Sequence, residues 1–187
     1  MPSLAAANPP HSVSRFHGHP DTLAAMVRAV QGPRGEKSLL VRRMTEEVVR
    51  RVQPKDYLGE VLAIRYWVTE YVRYTNDPLH VELVRDPQAL IEEIIAHVQV
   101  TADCDEIAEL IAAMCLQIGR VCEFVVAGFG EAGQYSHVFV RVQEPRSGQW
   151  IVCDPVAGTD ERGMLDRVTT FYTVSCDEPP GAPRSIT

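Results

Sequence analysis

The chain has 187 residues, of which 45% are hydrophobic and 23% charged. That length fits one domain able to bury its own core without disulfides or metal, and the near-average composition excludes a disordered or fibrous chain. With 25 acidic against 18 basic residues and a net charge of −7, no net positive field draws phosphates, which excludes a general nucleic-acid binder.

Residues 1–19 are rich in proline and histidine and lack apolar periodicity, so they read as a loosely ordered extension. A single domain is expected over 20–176, followed by a proline-bearing tail over 177–187. Asp21 caps a short helix to about Val30, which Gly32-Pro33 then ends. A second helix is expected over 36–52, with Leu39, Leu40, Met44, Val48 and Val49 on its apolar side and arginines opposite. Asp56 caps a third, striped by Val61, Ile64, Val68, Tyr71 and Val72. Asp86-Pro87 opens a fourth, an acid cap followed by proline in the first turn. Asp103 opens a fifth, carrying Ile107, Leu110, Ile111, Met114 and Ile118 to its end near Gly119. Beyond Gly119 the period shortens to two, and Val121–Phe129, Ser136–Val142, Gln149–Asp154 and Phe171–Ser175 read as strands. A helical N-terminal half packed on an antiparallel sheet makes an α+β domain.

The longest apolar run, Leu110–Leu116, is far shorter than the ~20 residues a spanning helix needs. The first residues have neither the cationic start nor the long apolar stretch of a secretory signal. Five cysteines, an odd number, read as free thiols in a reduced, cytoplasmic protein.

One constellation carries chemistry. In Asp103-Cys104-Asp105-Glu106, Asp103 and Glu106 have capping-box spacing, which sets Cys104 in the first helical turn. Backbone N–H groups and the helix dipole there favour thiolate and lower the thiol pKa, while Asp103 and Asp105 oppose them. His137 supplies a base. It lies in a strand where Val138, Val140 and Val142 take one face, leaving His137 on the other with Phe139 and Arg141. If Gln143 pairs with Gln149, His137 faces Pro155, and a slip of one residue sets Asp154 directly opposite the imidazole. Nucleophile, base and orienting acid then fall in the order Cys, His, Asp, the logic of a cysteine acyl-transfer site. Taken singly, each residue is more often packing or turn chemistry; the weight lies in the set.

From Leu58 to Gly158 the chain resembles the transglutaminase-like superfamily of papain-type cysteine enzymes, with small bacterial and phage-encoded members closest in size. The likeness rests on Trp67 leading into Tyr71-Val72-Arg73-Tyr74, on Asp103-Cys104-Asp105-Glu106, on Ser136-His137-Val138-Phe139-Val140, and on Trp150-Ile151-Val152-Cys153-Asp154-Pro155. It implies Cys104 as nucleophile, His137 as general base and then acid, and Asp154 as the residue orienting the imidazole. It also implies attack on an amide of a protein or peptide substrate through a thioester, released to water or to an amine. The family often has glycine just before its Asp-Cys pair, where this chain has Ala102. An oxyanion hole is required, with the Cys104 N–H as one donor and Trp67, Tyr74 or Asn76 as the other.

No cofactor or metal is expected. His11, His17 and His19 have no partner cysteine, Cys104, Cys115 and Cys122 lack tight zinc spacing, and the acids around Cys104 lack a calcium loop. The arginines of the second helix alternate with Glu46 and Glu47 as a solvated face. Neither nucleic acid nor membrane is an expected partner, and the oligomeric state is left open. The competing reading is a catalytically idle fold kept as a binding or assembly module, for instance within a phage-related particle.

Overall fold

The structure is a computed structural model and describes residues 11–13, 20–75, 82–130, 135–155 and 166–178. Expectations for residues 1–10, 14–19 and 179–187, and for Asn76, lie outside the described residues.

Among the described residues, five helices and eight strands follow one another in an α+β arrangement: β1 (His11–Val13), α1 (Pro20–Gln31), α2 (Leu39–Val49), α3 (Tyr57–Tyr71), β2 (Val72–Tyr74), β3 (Glu82–Val84), α4 (Pro87–His97), β4 (Val100–Ala102), α5 (Cys104–Gln117), β5 (Cys122–Gly128), β6 (His137–Gln143), β7 (Trp150–Cys153) and β8 (Thr170–Ser175). Caps set the helix starts. The Ser38 hydroxyl accepts from the N–H groups of Leu40 and Val41, Asp56 from Gly59 and Asp86 from Ala89, each satisfying a donor the first turn leaves unpaired.

The N-terminal half packs around α5. Every residue from Cys104 to Cys115 is buried, and α1 to α4 and β6 all lie against this helix. Such a helix, buried on every side, sits in the middle of the fold, its three buried carboxyls (Asp105, Glu106 and Glu109) included. Leu110, Ile111 and Met114 are fully buried, each worth roughly 1.5–3 kcal/mol. On α2 the buried positions are Val41 and Thr45, and Leu39, expected on the apolar side, is 69% exposed. The cap at Ser38 fixes the helix phase, and that phase turns Leu39 outward.

The C-terminal half is a four-stranded antiparallel sheet in the order β7-β6-β5-β8. One face, carrying Phe124, Val126, Val138, Val140 and Val142, joins the main core against α5. The other gathers Val125, Ala127 and Phe139, with Val152 and Val168 packed on them.

Four short strands were not expected from the sequence. β2 and β4 form a parallel pair with Tyr74 level with Ala102, and β1 pairs antiparallel with β3. Three-residue strands are too short to show an alternating period, and backbone pairing alone defines them. Residues 11–13 therefore form a strand within the segment read as an extension. Among the described residues no helix is long and apolar enough to cross a membrane.

Candidate active site

The approach to α5 is tied down before the helix begins. Asp103 accepts from the Glu106 N–H at 3.1 Å, and the Glu106 carboxylate accepts from the Asp103 N–H at 3.3 Å, closing the expected capping box. Cys104 is the first residue of the helix and 9% exposed.

A second set of bonds, invisible in the sequence, grips the same carboxylate. Arg85 donates its Nε and its backbone N–H to Glu106 Oε1 at 2.7 and 2.9 Å, and its Nη2 to Oε2 at 2.7 Å. The same guanidinium donates to Glu93 at 2.6 Å and to the Thr101 carbonyl. Glu106 is only 1% exposed, and burial raises its pKa even against the pull of Arg85. Arg85 is driven upward mainly by its bond to Glu106. This forked pair holds the turn from Thr101 to Cys104 from outside the helix. Only tertiary structure joins residues 85 and 106; the capping spacing gave Glu106, and nothing local gave Arg85.

His137 begins β6 on the face away from Val138, as expected. Its Nε2 lies 2.7 Å from Asp154 Oδ2, with the imidazole side chain 10% and the carboxylate 1% exposed. The strand register that brings them together differs from the expected one. Gln143 pairs with Trp150 and Val140 with Cys153, so Asp154, one residue on, is level with Phe139. The four-residue turn Pro145–Gly148 sets this, with the Glu144 N–H donating to Gln149 O at 2.8 Å and Gly148 at φ 69°. The slip of one occurs, but in the opposite direction to the one anticipated. It still places both side chains on one face, since each single step changes the face. The carboxylate reaches the ring diagonally rather than directly across.

A carboxylate only accepts, so the proton of this contact belongs on Nε2, and in the neutral imidazole Nδ1 is then the acceptor. The aromatic rings of Phe129 and Phe139 flank the imidazole at centroid distances of 6.3 and 5.8 Å. Beyond Phe139 the same sheet face opens into a hollow of about 270 Å³ between Val125, Val152, Val168 and Phe171. A larger groove of about 620 Å³ lies at the far end of the β6–β7 hairpin, by Tyr57, Arg146 and Trp150. The seven residues of β6 separate it from His137 by roughly 20 Å, so groove size does not mark the chemistry.

The thiol of Cys104 lies beside the start of β6, where the Val138 N–H and its own N–H favour the thiolate. Those donors do not prevail. Burial pushes the thiol pKa up, Asp105 and Asp103 add to the rise, and the net shift is upward. The expected lowering of this pKa is therefore overturned. Desolvation of a thiolate nine-tenths removed from water outweighs two backbone dipoles. Asp105 is 1% and Glu109 0% exposed, one turn apart on α5, and neither carboxyl was singled out as buried from the sequence.

Of the three candidate oxyanion donors, Trp67 packs on α3 against the main core and Tyr71, ring to ring at 5.3 Å. Tyr74 stands at the end of β2, 42% exposed, where partial burial raises its pKa and Cys104, Asp103, Asp105 and Asp154 add to the rise.

A helix-start cysteine beside the strand residue that follows a histidine, with an aspartate just past the neighbouring strand bonded to that histidine, is an arrangement that a cysteine-enzyme fold presents. A family model for the Transglutaminase-like superfamily matches residues 42–155, and the chain belongs to that superfamily. The solved structure of a Parabacteroides distasonis protein, provisionally designated a protease, is similar over 92% of this chain and 31% of its own, at TM-score 0.59 and 14% identity. A Cytophaga hutchinsonii protein, provisionally designated a cysteine protease, is similar over 79% of this chain and 54% of its own, at TM-score 0.46 and 15% identity. The chain thus spans about a third and about half of those two proteins. No curated protein matches it.

Proposed function

We propose that this chain is a cysteine acyl-transfer enzyme of the reduced cytoplasm, acting on an amide or peptide bond of a protein or peptide. Cys104 is the nucleophile, His137 the general base and then acid, and Asp154 the residue that orients the imidazole. The observation that carries the reading is the buried 2.7 Å contact between His137 and Asp154 beside the strand residue whose N–H faces the Cys104 sulfur.

In this reading the resting thiol is neutral, because burial disfavours the thiolate. His137 Nδ1 takes the thiol proton as the sulfur attacks the substrate carbonyl carbon. The tetrahedral intermediate collapses, the C–N bond breaks, and the amine leaves with the proton from the imidazolium. Water or a second amine then cleaves the thioester, with the same imidazole as base. Asp154 keeps Nε2 protonated throughout and stabilises the imidazolium.

The raised thiol pKa also favours a second reading, a catalytically idle module that binds through the same fold. Screening glutamine-donor and peptide libraries with wild type and Cys104→Ala separates the two. The enzyme reading expects turnover that vanishes in the variant while its melting temperature barely moves. Tight binding of a partner, unchanged by the substitution and without turnover, establishes the idle module instead.

A further inference from the structure

We propose that the Tyr74 hydroxyl is the second oxyanion donor of this site, acting with the backbone N–H of Cys104. The inference rests on the acyl-transfer reading and names a residue within it.

The argument begins with the β2–β4 ribbon. Its parallel register sets Val72 beside Val100, Arg73 beside Thr101 and Tyr74 beside Ala102, and the Thr75 N–H donates to the Ala102 carbonyl at 2.9 Å. Strand alternation puts Tyr74 on the side of buried Val72, away from exposed Arg73. Ala102, its neighbour, is 1% exposed and leads through Asp103 into the first turn of α5. Tyr74 is thus at the last paired position, level with the residue two before Cys104, and near enough to Cys104 for the two groups to interact electrostatically. Tyr74 is 42% exposed, so part of the side chain meets solvent.

The electrostatics agree with this placement. Partial burial, then the charges of Cys104, Asp103, Asp105 and Asp154, hold the phenol above its ordinary pKa of 10. A hydroxyl kept protonated is a donor at every working pH. As the Cys104 sulfur bonds to the carbonyl carbon, the C=O π pair moves to oxygen, and that oxygen needs donors fixed in advance. Cys104 supplies a backbone N–H at an unpaired helix start. Tyr74 supplies an O–H, and no proton need leave it; when the intermediate collapses the electron pair returns to the carbonyl.

Trp67 is packed against Tyr71 and the core one layer back on α3.

The test exploits two reactions of the same sulfur. Acetylation by 4-nitrophenyl acetate passes through an oxyanion, whereas alkylation by iodoacetamide displaces iodide at a saturated carbon and forms none. Both are followed at Cys104 by peptide mass mapping in wild type, Tyr74→Phe and Cys104→Ala. The expected result is acetylation slowed on the order of 10²-fold in Tyr74→Phe, with kcat rather than KM carrying the loss. Alkylation of the same variant should match wild type, which also reports an intact fold. Equal acetylation rates in wild type and Tyr74→Phe would overturn the assignment and leave the acyl-transfer reading standing. A parallel fall in both reactions also overturns it, since Tyr74 would then shape the thiol itself. If wild-type Cys104 alkylates but accepts no acetyl group, the acyl-transfer reading fails, and this assignment with it.

Discussion

His137 and Asp154 meet diagonally across two strands, their side chains on one face and their Cα positions two residues out of level. The hydrogen bond therefore depends on the hairpin turn at Pro145–Gly148 as much as on the two residues. Inserting or deleting one residue in that turn would carry Asp154 to the opposite face.

Replacing Asp154 with Asn keeps the size but offers the imidazole a donor as well as an acceptor, so the productive tautomer loses its support. Acyl-enzyme formation should fall by about 10³–10⁴-fold, with substrate affinity little changed. Steady-state kinetics on any acyl substrate of the wild type, paired with a thermal melt, checks this. A variant as active as wild type would remove Asp154 from the site.

Cys104 should behave as a thiol that ionises late. Burial and Asp105 both raise its pKa, so iodoacetamide should react slowly near neutral pH and faster as pH rises beyond the ordinary thiol range. Asp105→Asn removes the second-largest cause and should speed alkylation several-fold at pH 7. A rate already at its plateau by pH 6 would mean a preformed thiolate–imidazolium pair.

Arg85→Ala leaves the buried Glu106 carboxylate without its forked partner. Such losses cost about 3–5 kcal/mol, readable as a lower urea midpoint. Glu106→Gln in the same chain should recover part of that loss, because the stranded charge is gone. If the two substitutions simply add, the pair is not coupled.

Glu109 is fully buried, and neither carboxyl oxygen has a hydrogen-bond partner among the described residues. Desolvation, with Asp105, Glu106, Asp103 and Asp86 adding, raises its pKa well above 4.5. The folded state then keeps a proton that the unfolded chain releases above about pH 4.5. Its contribution to stability is complete below that pH and drains away as pH rises toward the folded-state pKa. Glu109→Met should therefore stabilise the domain by about 1–3 kcal/mol at neutral pH and flatten this part of the profile. Urea midpoints of both proteins between pH 5 and 8 decide it; parallel curves would show that Glu109 titrates normally.

Local chemistry is what the sequence displays best. The cap at Asp103, the first-turn place of Cys104 and the face of His137 all follow from spacings of three residues or fewer, and the structure has each of them. Longer-range relations are weaker. The hairpin register depended on whether the turn holds four residues or five, which Pro145-Arg146-Ser147-Gly148 resolves only once Glu144 is seen to pair with Gln149. The Arg85–Glu106 fork and the Tyr74–Ala102 pairing join distant segments through strands too short to carry a pattern. The thiol pKa moves opposite to the expected direction, since dipoles are legible at a helix start and depth of burial is not.

The burial of α5 on every side has a consequence for how the site comes apart. Amide protons from Ile107 to Met114 sit where only global opening admits solvent, so they should be the slowest to exchange with deuterium. Cys104 is carried on that element, while the β2–β4 ribbon that ends at Tyr74 has only three residue pairs to release. Gentle warming should thus loosen the ribbon first and leave the sulfur in place until the domain itself unfolds.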